Sequence, residues 1–525
     1  MVKKGIIVLL TVICLVFCFC SGCYSDSGKS IQDSGRLASI EPDYINVTIP
    51  PNIAPLNFSV LEQGRYYKVI ATSARTGYKT SISSNDGIIR FTEKSWRKLT
   101  EDSKGDSIKI EVFSSGDDKK LLTAYKPFHL AVAKEKIDPY LVYRLIYPGY
   151  YSWSDIKIVQ RSTENFSEES VIENQIIEKN CANCHSFNNN RADRFMIHIR
   201  GSKGGTYIVE DGKIIRTDPK TDAMPGSATY PSWHPDGRFI AFSSNQVRQS
   251  FYSLPEKKIE VYDLVSSLIL FDTKSNEIIS ITDSDTSKYL QTFPSWSADG
   301  KYLYFCRAPQ YKSTDTPGIE ELKNTHYDLA RKSFDPVSKS FGETEIVYNA
   351  AEINKSVSFP RISPDGKFLI FTLADYGTFP IWHKEADLYM LNMTTGKCDR
   401  MDSNSNETES YHSWSSNGRW LVFSSRRMDG RSGRPYFVYI DSLGNQGKEF
   451  VLPQKNPNQY SQMLESFNIP ELVNGKIKLN PGDFAKATQQ EAIKTKDGNP
   501  ASQNAGKKAV RKVNYPNENE KLIHE

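Results

Sequence analysis

The chain has 525 residues, a length that predicts about two to four domains and a large buried core. Its 66 Lys and Arg nearly balance its 62 Asp and Glu. A net charge of only +4 provides little electrostatic attraction for nucleic acid. A hydrophobic content of 38% and a mean hydropathy of −0.51 exclude a protein with many membrane spans. The 28 Tyr and 26 Phe favour strands over disorder.

The first segment has the layout of a secretory signal, with two lysines before an apolar run of about 15 residues. The run ends in Cys20-Ser-Gly-Cys23, and small residues directly before a cysteine resemble a bacterial lipobox. We therefore expect residues 1–22 to be a signal peptide, Cys23 to be lipidated, and residues 23–40 to be a flexible linker. This layout predicts a lipid-anchored protein of the bacterial envelope, on the periplasmic side or at the outer membrane. A single transmembrane anchor is the alternative, for which the run is short.

Residues 41–135 consist of short alternating segments separated by turn residues. Tyr67-Lys-Val-Ile-Ala-Thr72 is one such segment, and Asn85-Asp-Gly87 is one such turn. Alternation with a period of two and frequent turns predict a small β-sandwich. Because this region contains no cluster of catalytic residue types, we interpret it as a structural or docking domain.

Four copies of one motif follow from about residue 228. The copies are Tyr230-Pro-Ser-Trp-His-Pro-Asp-Gly237, Phe293-Pro-Ser-Trp-Ser-Ala-Asp-Gly300, Phe359-Pro-Arg-Ile-Ser-Pro-Asp-Gly366 and Tyr411-His-Ser-Trp-Ser-Ser-Asn-Gly418. Each Asp-Gly or Asn-Gly pair predicts a tight turn, because glycine accepts a positive φ, and the alternating stretch that follows predicts a strand. The Trp or Ile before each turn predicts an apolar wedge between neighbouring sheets.

These copies resemble the TolB-type β-propeller repeat, whose core is Pro-x-Trp-Ser-Pro-Asp-Gly-Lys followed by an apolar strand. The resemblance implies an all-β fold in which the sandwich is followed by a ring of four-stranded blades. Pro139-Tyr-Leu-Val-Tyr143 matches Pro435-Tyr-Phe-Val-Tyr439 in the last copy, so the ring is expected to begin before the clear copies. We expect about six blades over residues 138–455. Residues 456–525 are expected to form a C-terminal tail, largely disordered from about residue 475.

Cys181-Ala-Asn-Cys184-His185 has the form Cys-x-x-Cys-His, which is the attachment motif of c-type haem. On one helical turn this spacing puts both sulfurs on one side, where they form thioethers with the vinyl groups of one haem. His185 would be the proximal ligand of the iron. A short helix over residues 167–179 is expected to lead into the motif. We therefore predict one covalent haem c, held by Cys181 and Cys184.

The sixth position of the iron is predicted to be filled by His198, with Met196 as the alternative. These residues are two apart in a strand-like stretch, so their side chains point to the same face. Met224 and His234 are more distant candidates. A Met ligand would raise the reduction potential relative to His, and an open position would permit ligand binding or peroxidase-like chemistry.

Three other interpretations of the motif stay open. A redox-active dithiol usually begins a helix after a strand, a context that is absent here. A zinc site needs four ligands, and Cys306 and Cys398 lie in strand-like stretches where core positions are expected. A chance match to a five-residue pattern is the third interpretation.

The sequence thus predicts an envelope-anchored, monohaem, c-type cytochrome-like protein with an electron-transfer or other redox role. The chain looks like the TolB-like lipoproteins that carry a haem motif, often labelled cytochrome c biosynthesis proteins. Its propeller and sandwich would dock a redox or other protein partner of the envelope, and no nucleic acid. The alternative is a propeller binding or scaffold module in which haem is structural or absent. A haem enzyme with an open iron site is the third hypothesis, and no hydrolase motif is present.

Overall fold

The structure is a computed structural model that describes residues 30–116, 121–148, 153–221, 224–283, 286–312 and 317–498. The predicted signal peptide, the predicted lipidation at Cys23 and the end of the predicted tail from residue 499 lie outside the described residues. Within the described ranges, no helix is long and apolar enough to cross a membrane.

The N-terminal domain packs a seven-stranded sheet and a three-stranded sheet around a common core. Its strands are β1 (Ser30–Leu37), β2 (Ile40–Glu41), β3 (Thr48–Ile49), β4 (Phe58–Val60), β5 (Tyr66–Ser73), β6 (Lys79–Ser84), β7 (Ile88–Ile89), β8 (Ser107–Ser115), β9 (Leu121–Lys126) and β10 (Phe128–Val132). The large sheet has the order β1-β9-β8-β10-β3, with β5 paired to β8 and β6 paired to β5, and the small sheet has the order β2-β4-β7. Strand β5 alternates buried and half-buried residues, as its period-two pattern predicts.

Two features of this domain were not expected from the sequence. Strand β1 pairs in parallel with β9, so the expected linker over residues 23–40 already contributes a strand. Helix α1 (Glu93–Asp102) begins at its N-cap, Thr92, and buries Trp96. The indole Nε1 of Trp96 donates a hydrogen bond to the carbonyl oxygen of Ile53 at 3.0 Å, which fixes the helix to the domain.

Six sheets in the described residues form a closed ring, numbered here as blades in chain order. Blade 1 contains β11 (Tyr140–Ile146), β12 (Lys157–Ser162) and β13 (Glu168–Glu173); blade 2 contains β14 (Cys181–Phe187), β15 (Arg194–Arg200), β16 (Gly205–Glu210) and β17 (Lys213–Asp218); blade 3 contains β18 (Ala228–Trp233), β19 (Phe239–Phe251), β20 (Ile259–Asp272) and β21 (Glu277–Ser280). Blade 4 contains β22 (Tyr289–Trp296), β23 (Tyr302–Pro309), α2 (Ile319–Lys323), β24 (Asp328–Asp335), β25 (Ser340–Phe341) and β26 (Glu345–Tyr348); blade 5 contains β27 (Ser356–Ile362), β28 (Phe368–Ala374), β29 (Asp387–Asn392) and β30 (Cys398–Arg400); blade 6 contains β31 (Glu409–Trp414), β32 (Trp420–Ser425), β33 (Arg434–Tyr439) and β34 (Phe450–Val451). The predicted all-β propeller fold is confirmed.

The chain closes the ring with its C-terminal part. Strand β35 (Ser466–Val473) pairs antiparallel with β11 and becomes the innermost strand of blade 1. The predicted propeller end near residue 455 is therefore too early, because blade 1 lacks an inner strand until the chain returns.

The segment after β35 is also ordered as far as the structure describes it. Helix α3 (Pro481–Thr488) is followed by β36 (Ile493–Lys494) and β37 (Lys496–Asp497), which extend the outer edges of blades 2 and 3. The expectation of disorder from about residue 475 is wrong up to residue 498, since backbone pairing orders this polar segment.

The sandwich and the propeller share one hydrophobic core, which contains Tyr44 of the sandwich and Trp420 of blade 6. Trp420 has no exposed surface, and its Nε1 donates to the carbonyl oxygen of Glu135 in the connecting segment at 3.2 Å. Asp138 accepts a hydrogen bond from the backbone N–H of Ser416 at 2.7 Å. These contacts fix the sandwich against the outer side of blades 6 and 1.

The predicted helix before the Cys-x-x-Cys-His motif is not formed. Residues 168–173 are strand β13 and residues 174–180 are turns. Val171 and Ile172 are fully buried against blade 2, so burial of these β-branched side chains in a sheet outweighs their helix-like spacing.

Candidate functional site

The Cys-x-x-Cys-His motif lies on β14, the innermost strand of blade 2, beside the central channel. Cys181 pairs with Arg200 and Cys184 pairs with His198, with a register shift between Ala182 and Cys184. Because this β-bulge adds one residue, both cysteines point to the same face of the sheet, although a regular strand would separate them. His185 pairs with Ile197 and points to the opposite face.

His185 is enclosed between blades 1 and 2. Its side chain has no exposed surface, its Nε2 is 3.8 Å from Oε1 of Glu471, and its ring lies against Phe187. Neither ring nitrogen makes a hydrogen bond of regular geometry, although a contact with the backbone of Ile469 favours the protonated ring. Burial, with a further contribution from Arg144, lowers the pKa of His185 to about 3, so the ring is neutral at neutral pH.

This arrangement does not fit a covalent haem. The prediction assumed a helical turn that presents both sulfurs and the imidazole to one haem, whereas the strand sends His185 to the face opposite Cys184. The His185 side chain is closed off by its neighbours in the propeller and has no exposed surface through which an iron is reached. The haem therefore stays a prediction from the sequence pattern, and its assumed helical geometry is wrong.

The structure also separates the candidates for the sixth ligand. His198 lies on the face opposite His185, and its Nδ1 is 3.2 Å from Oγ1 of Thr206. Met196 is fully buried in the apolar cluster between blades 2 and 3, which also contains Met224. His234 lies in the blade 3 turn, 2.8 Å from Asp236.

Four aromatic side chains meet at the centre of the ring and form what we call the aromatic plug. Its members are Tyr230, Phe293, Phe359 and Tyr411, from the inner strands of blades 3 to 6. Successive ring centroids are 4.3, 4.2 and 4.8 Å apart. All four residues sit at bulges with φ of 51, 51, 53 and 48°, a region that costs free energy for non-glycine residues. The same bulge thus recurs in four successive inner strands.

One further position in each inner strand defines a channel ring. In blades 1 and 3 to 6 it lies two residues after a residue with positive φ, and in blade 2, whose bulge lies elsewhere, it is assigned through the wedge Trp233. The members of the channel ring are Ser186, Ser232, Ser295, Arg361, Ser413 and Glu471. Hydrogen bonds from the wedge tryptophans show that three of these positions are equivalent. In each case the indole Nε1 of a wedge donates to the carbonyl oxygen of the ring residue in the preceding blade. The pairs are Trp233 with Ser186 at 3.1 Å, Trp296 with Ser232 at 3.2 Å and Trp414 with Arg361 at 3.2 Å.

Two hydrogen bonds show that the channel-ring side chains reach the inner edge of the next blade. Ser413 Oγ donates to the carbonyl oxygen of Pro470 at 2.9 Å. Oε2 of Glu471 accepts a hydrogen bond from the backbone N–H of Phe187 at 3.3 Å. The channel ring thus lies immediately below the aromatic plug, where below means towards the Asp-Gly turns.

The two charged members interrupt a ring that is otherwise serine. Arg361 is half-buried and makes one long hydrogen bond, from Nη1 to the carbonyl oxygen of Pro360 at 3.5 Å. The Glu471 side chain is 18% exposed. Burial raises the pKa of Glu471 to about 7, while the positive charge of Arg361 opposes that rise.

The upper end of the channel is covered by an arm, residues 245–265, formed where β19 and β20 extend to 13 and 14 residues. Ile259 of the arm packs with Phe379, Ile381 and Trp382 of blade 5, and Tyr411 of the aromatic plug contacts the same cluster. The arm therefore reaches from blade 3 to blade 5 above the plug.

Buried charges hold the arm in this position. Oε2 of Glu260, which has no exposed side-chain surface, is 2.7 Å from Nε2 of His383 and 2.6 Å from Nζ of Lys257. Nδ1 of His383 is 3.1 Å from Oε1 of Glu385. Burial lowers the pKa of His383, but the hydrogen bonds to the two carboxylates outweigh it and raise the pKa to about 9.

The lower end of the channel is crossed by the turn after β14. Nδ2 of Asn190 donates to the carbonyl oxygens of Trp414 and Leu472 at 2.9 and 2.7 Å, joining blade 2 to blades 6 and 1. The channel ring is thereby enclosed between this turn and the aromatic plug, although Arg361 and Glu471 keep accessible surface.

Arg361 and Glu471 were missed by sequence reasoning, although the sequence contains a signal for both. Two copies of the repeat read Pro-Ser-Trp, whereas the third reads Pro360-Arg-Ile362. The closing strand reads Ile469-Pro-Glu-Leu472, a fifth copy in which Glu replaces Ser. The alignment also places His185-Ser-Phe187 on His412-Ser-Trp414, so the histidine of the motif falls at a repeat position.

No protein-family model matches the chain. It is 27% identical over 252 residues, 43% of its length, to an uncharacterized peptidase, YuxL, of Bacillus subtilis (strain 168), and the match spans only 34% of that relative. TolB from Acinetobacter baumannii covers 73% of this chain and 85% of its own, with 12% identity and a TM-score of 0.41. A hypothetical selenium-binding protein from Sulfolobus tokodaii covers 66% and 96%, with 10% identity and a TM-score of 0.39. The propeller assignment rests on the strand pairing described above.

Proposed function

We propose that this protein is a binding module of the bacterial envelope, whose propeller captures a ligand at the channel ring. The observation that carries the proposal is the placement of Arg361 and Glu471 in a ring whose other four positions are serine. Charged groups inside a protein cost free energy unless they are paired, and departures from a protein's own sequence rules are expected at functional or strained sites. Electron transfer through haem is the competing hypothesis, and the strand geometry of the motif does not favour it.

A thermal-shift screen tests the binding function. Small-molecule fractions of an envelope extract are added to the wild-type chain and to the double variant Arg361→Ser, Glu471→Ser, which makes the channel ring all serine. A ligand present at about 100 times its dissociation constant stabilises the fold by about 2.7 kcal/mol. We expect at least one fraction to raise the melting temperature of the wild type and not that of the double variant.

The matched control is Arg400→Gln, which removes an arginine of the same blade that pairs with Asp387 at 2.6 Å on the surface. It is expected to respond like the wild type. The proposal is overturned if no fraction stabilises the wild type, or if the double variant responds equally.

We also propose that the chain is anchored to the membrane through a lipid on Cys23. The signal layout and the cysteine after two small residues support this. Incorporation of labelled palmitate in a bacterial host is expected for the wild type and not for Cys23→Ser. Labelling of the variant, or a wild-type product that retains residues 1–22, would contradict the anchor.

A further inference from the structure

We propose that the channel ring binds a small zwitterion, a molecule that carries one carboxylate and one ammonium group. Arg361 would bind the carboxylate and Glu471 the ammonium. This inference rests on the proposed binding function, and it adds the chemical class of the ligand.

The two charged groups of the channel ring are held apart. Arg361 belongs to blade 5 and Glu471 to blade 1, and blade 6 with its ring residue Ser413 lies between them. Among the described residues Arg361 and Glu471 do not form an ion pair, since their charged atoms are more than 4.0 Å apart. Each group is therefore partly desolvated without the other as a direct partner, which is costly whenever Glu471 is ionised. A ligand with opposite charges at its two ends satisfies both.

Serine hydroxyls of the channel ring have unused hydrogen-bonding capacity around these two groups. Among the described residues, no hydrogen bond to protein is made by the hydroxyls of Ser186, Ser232 or Ser295.

The surroundings of the channel ring restrict the size and polarity of the ligand. The aromatic plug above and the Asn190 turn below limit the ligand to a small molecule. The planar guanidinium of Arg361 matches a carboxylate with two parallel hydrogen bonds, and aromatic faces attract ammonium groups. A ring of serines supplies neutral hydrogen bonds that fit a polar linker between the two charges.

Isothermal titration of the full mature chain tests the inference. The probes are glycine, β-alanine and 4-aminobutyrate, whose charges are progressively further apart, with acetate and methylammonium as single-charge controls. We expect one zwitterion to bind at least about tenfold more tightly than either control, a difference of about 1.4 kcal/mol. Arg361→Gln and Glu471→Gln are each expected to weaken that zwitterion at least about tenfold, and Arg400→Gln to leave it unchanged.

The outcomes separate this inference from the proposed function. If acetate binds as tightly as every zwitterion, the ring is an anion site and the zwitterion is wrong. If no probe binds while an extract fraction still stabilises the wild type and not the all-serine variant, binding at the ring stands and the ligand class is overturned. If neither probes nor fractions act through the ring, both proposals fail. Should one variant fail to fold, the other variant and the single-charge probes still decide.

Discussion

Blades 2 and 6 place a histidine at the same position of the inner strand, immediately before a channel-ring serine. In blade 6, Nε2 of His412 is 2.9 Å from the carbonyl oxygen of Ile370 in the neighbouring blade, so the ring has a structural partner. In blade 2, His185 makes no hydrogen bond of regular geometry; it contacts the backbone of Ile469, and its Nε2 is 3.8 Å from Oε1 of Glu471. The comparison teaches that the repeat accommodates a buried neutral histidine through a backbone hydrogen bond, and that blade 2 differs because its histidine lies beside a carboxylate.

The largest loss of stability is expected from replacing Trp414, the wedge residue of blade 6. Trp414 is 5% exposed and donates through Nε1 to the carbonyl oxygen of Arg361 at 3.2 Å. Trp414→Ala removes a large buried aromatic side chain and a hydrogen bond, so we expect the free energy of unfolding to fall by about 3–5 kcal/mol. Denaturant titration measures it, and a loss below about 1 kcal/mol would show that the wedge does not hold blades 5 and 6 together.

The second prediction is that the buried His412 makes the free energy of unfolding depend on pH, whereas an exposed histidine does not. Burial lowers the pKa of His412 to about 3, below the usual 6.5, so the unfolded chain takes up the proton first as the pH falls. The free energy of unfolding therefore decreases as the pH falls from about 6.5 towards 3.

In His412→Gln, the loss of stability between pH 7 and pH 5 should be smaller than in the wild type by about 2 kcal/mol. Denaturant titrations at the two pH values measure this difference. The exposed His129 provides the control, His129→Gln, which should retain the wild-type dependence. Equal dependence in all three proteins would contradict a neutral buried His412.

A smaller effect is expected where blade 2 replaces the Asp-Gly turn with asparagines. Asn190→Ala removes the two hydrogen bonds to Trp414 and Leu472 and places alanine at a φ of 59°. We expect a loss of about 1–3 kcal/mol in the free energy of unfolding. Asn189 has a φ of 48° and a single hydrogen bond, to Pro235. Asn189→Ala should therefore cost less, and the reverse order would contradict a bridging role for Asn190.

The smallest effect is expected from the cysteines of the motif. Cys184 is buried and Cys181 half-buried, and on this account each packs as a small apolar side chain. The double variant Cys181→Ala, Cys184→Ala should lose about 2 kcal/mol or less and should retain the far-ultraviolet circular dichroism of the wild type. Failure of the double variant to fold would indicate that the sulfurs hold a group on which the fold depends.

The propeller fold could be predicted from the sequence because its turns and wedges depend on short local motifs. The candidate site could not be predicted in this way. Gly237 and Gly300 indicate turns, and Trp233 and Trp296 indicate blades, because each occurs at the same position of the repeated motif. The closing strand was missed because its copy, Ile469-Pro-Glu-Leu472, lacks both the tryptophan and the following Asp-Gly turn.

The candidate site was hard to predict because the haem chemistry of the Cys-x-x-Cys-His motif depends on the conformation of its backbone. Cys181-Ala-Asn-Cys184-His185 presents its side chains together on a helix, whereas ring closure makes this segment an inner strand. The β-bulge that brings the cysteines to one face depends on pairing with β15 and cannot be seen from spacing alone. Arg361 and Glu471 lie 110 residues apart in the chain, so only the closed propeller shows that both belong to the channel ring.

The most direct measurement is the reduced-minus-oxidised visible spectrum of the full chain, produced in the envelope of a host that attaches c-type haem. The account predicts no covalent haem band, because Cys181, Cys184 and His185 belong to a strand that divides them between two faces of a sheet. A haem band that remains with the denatured polypeptide and disappears in Cys181→Ala, Cys184→Ala would contradict the account and restore the electron-transfer hypothesis.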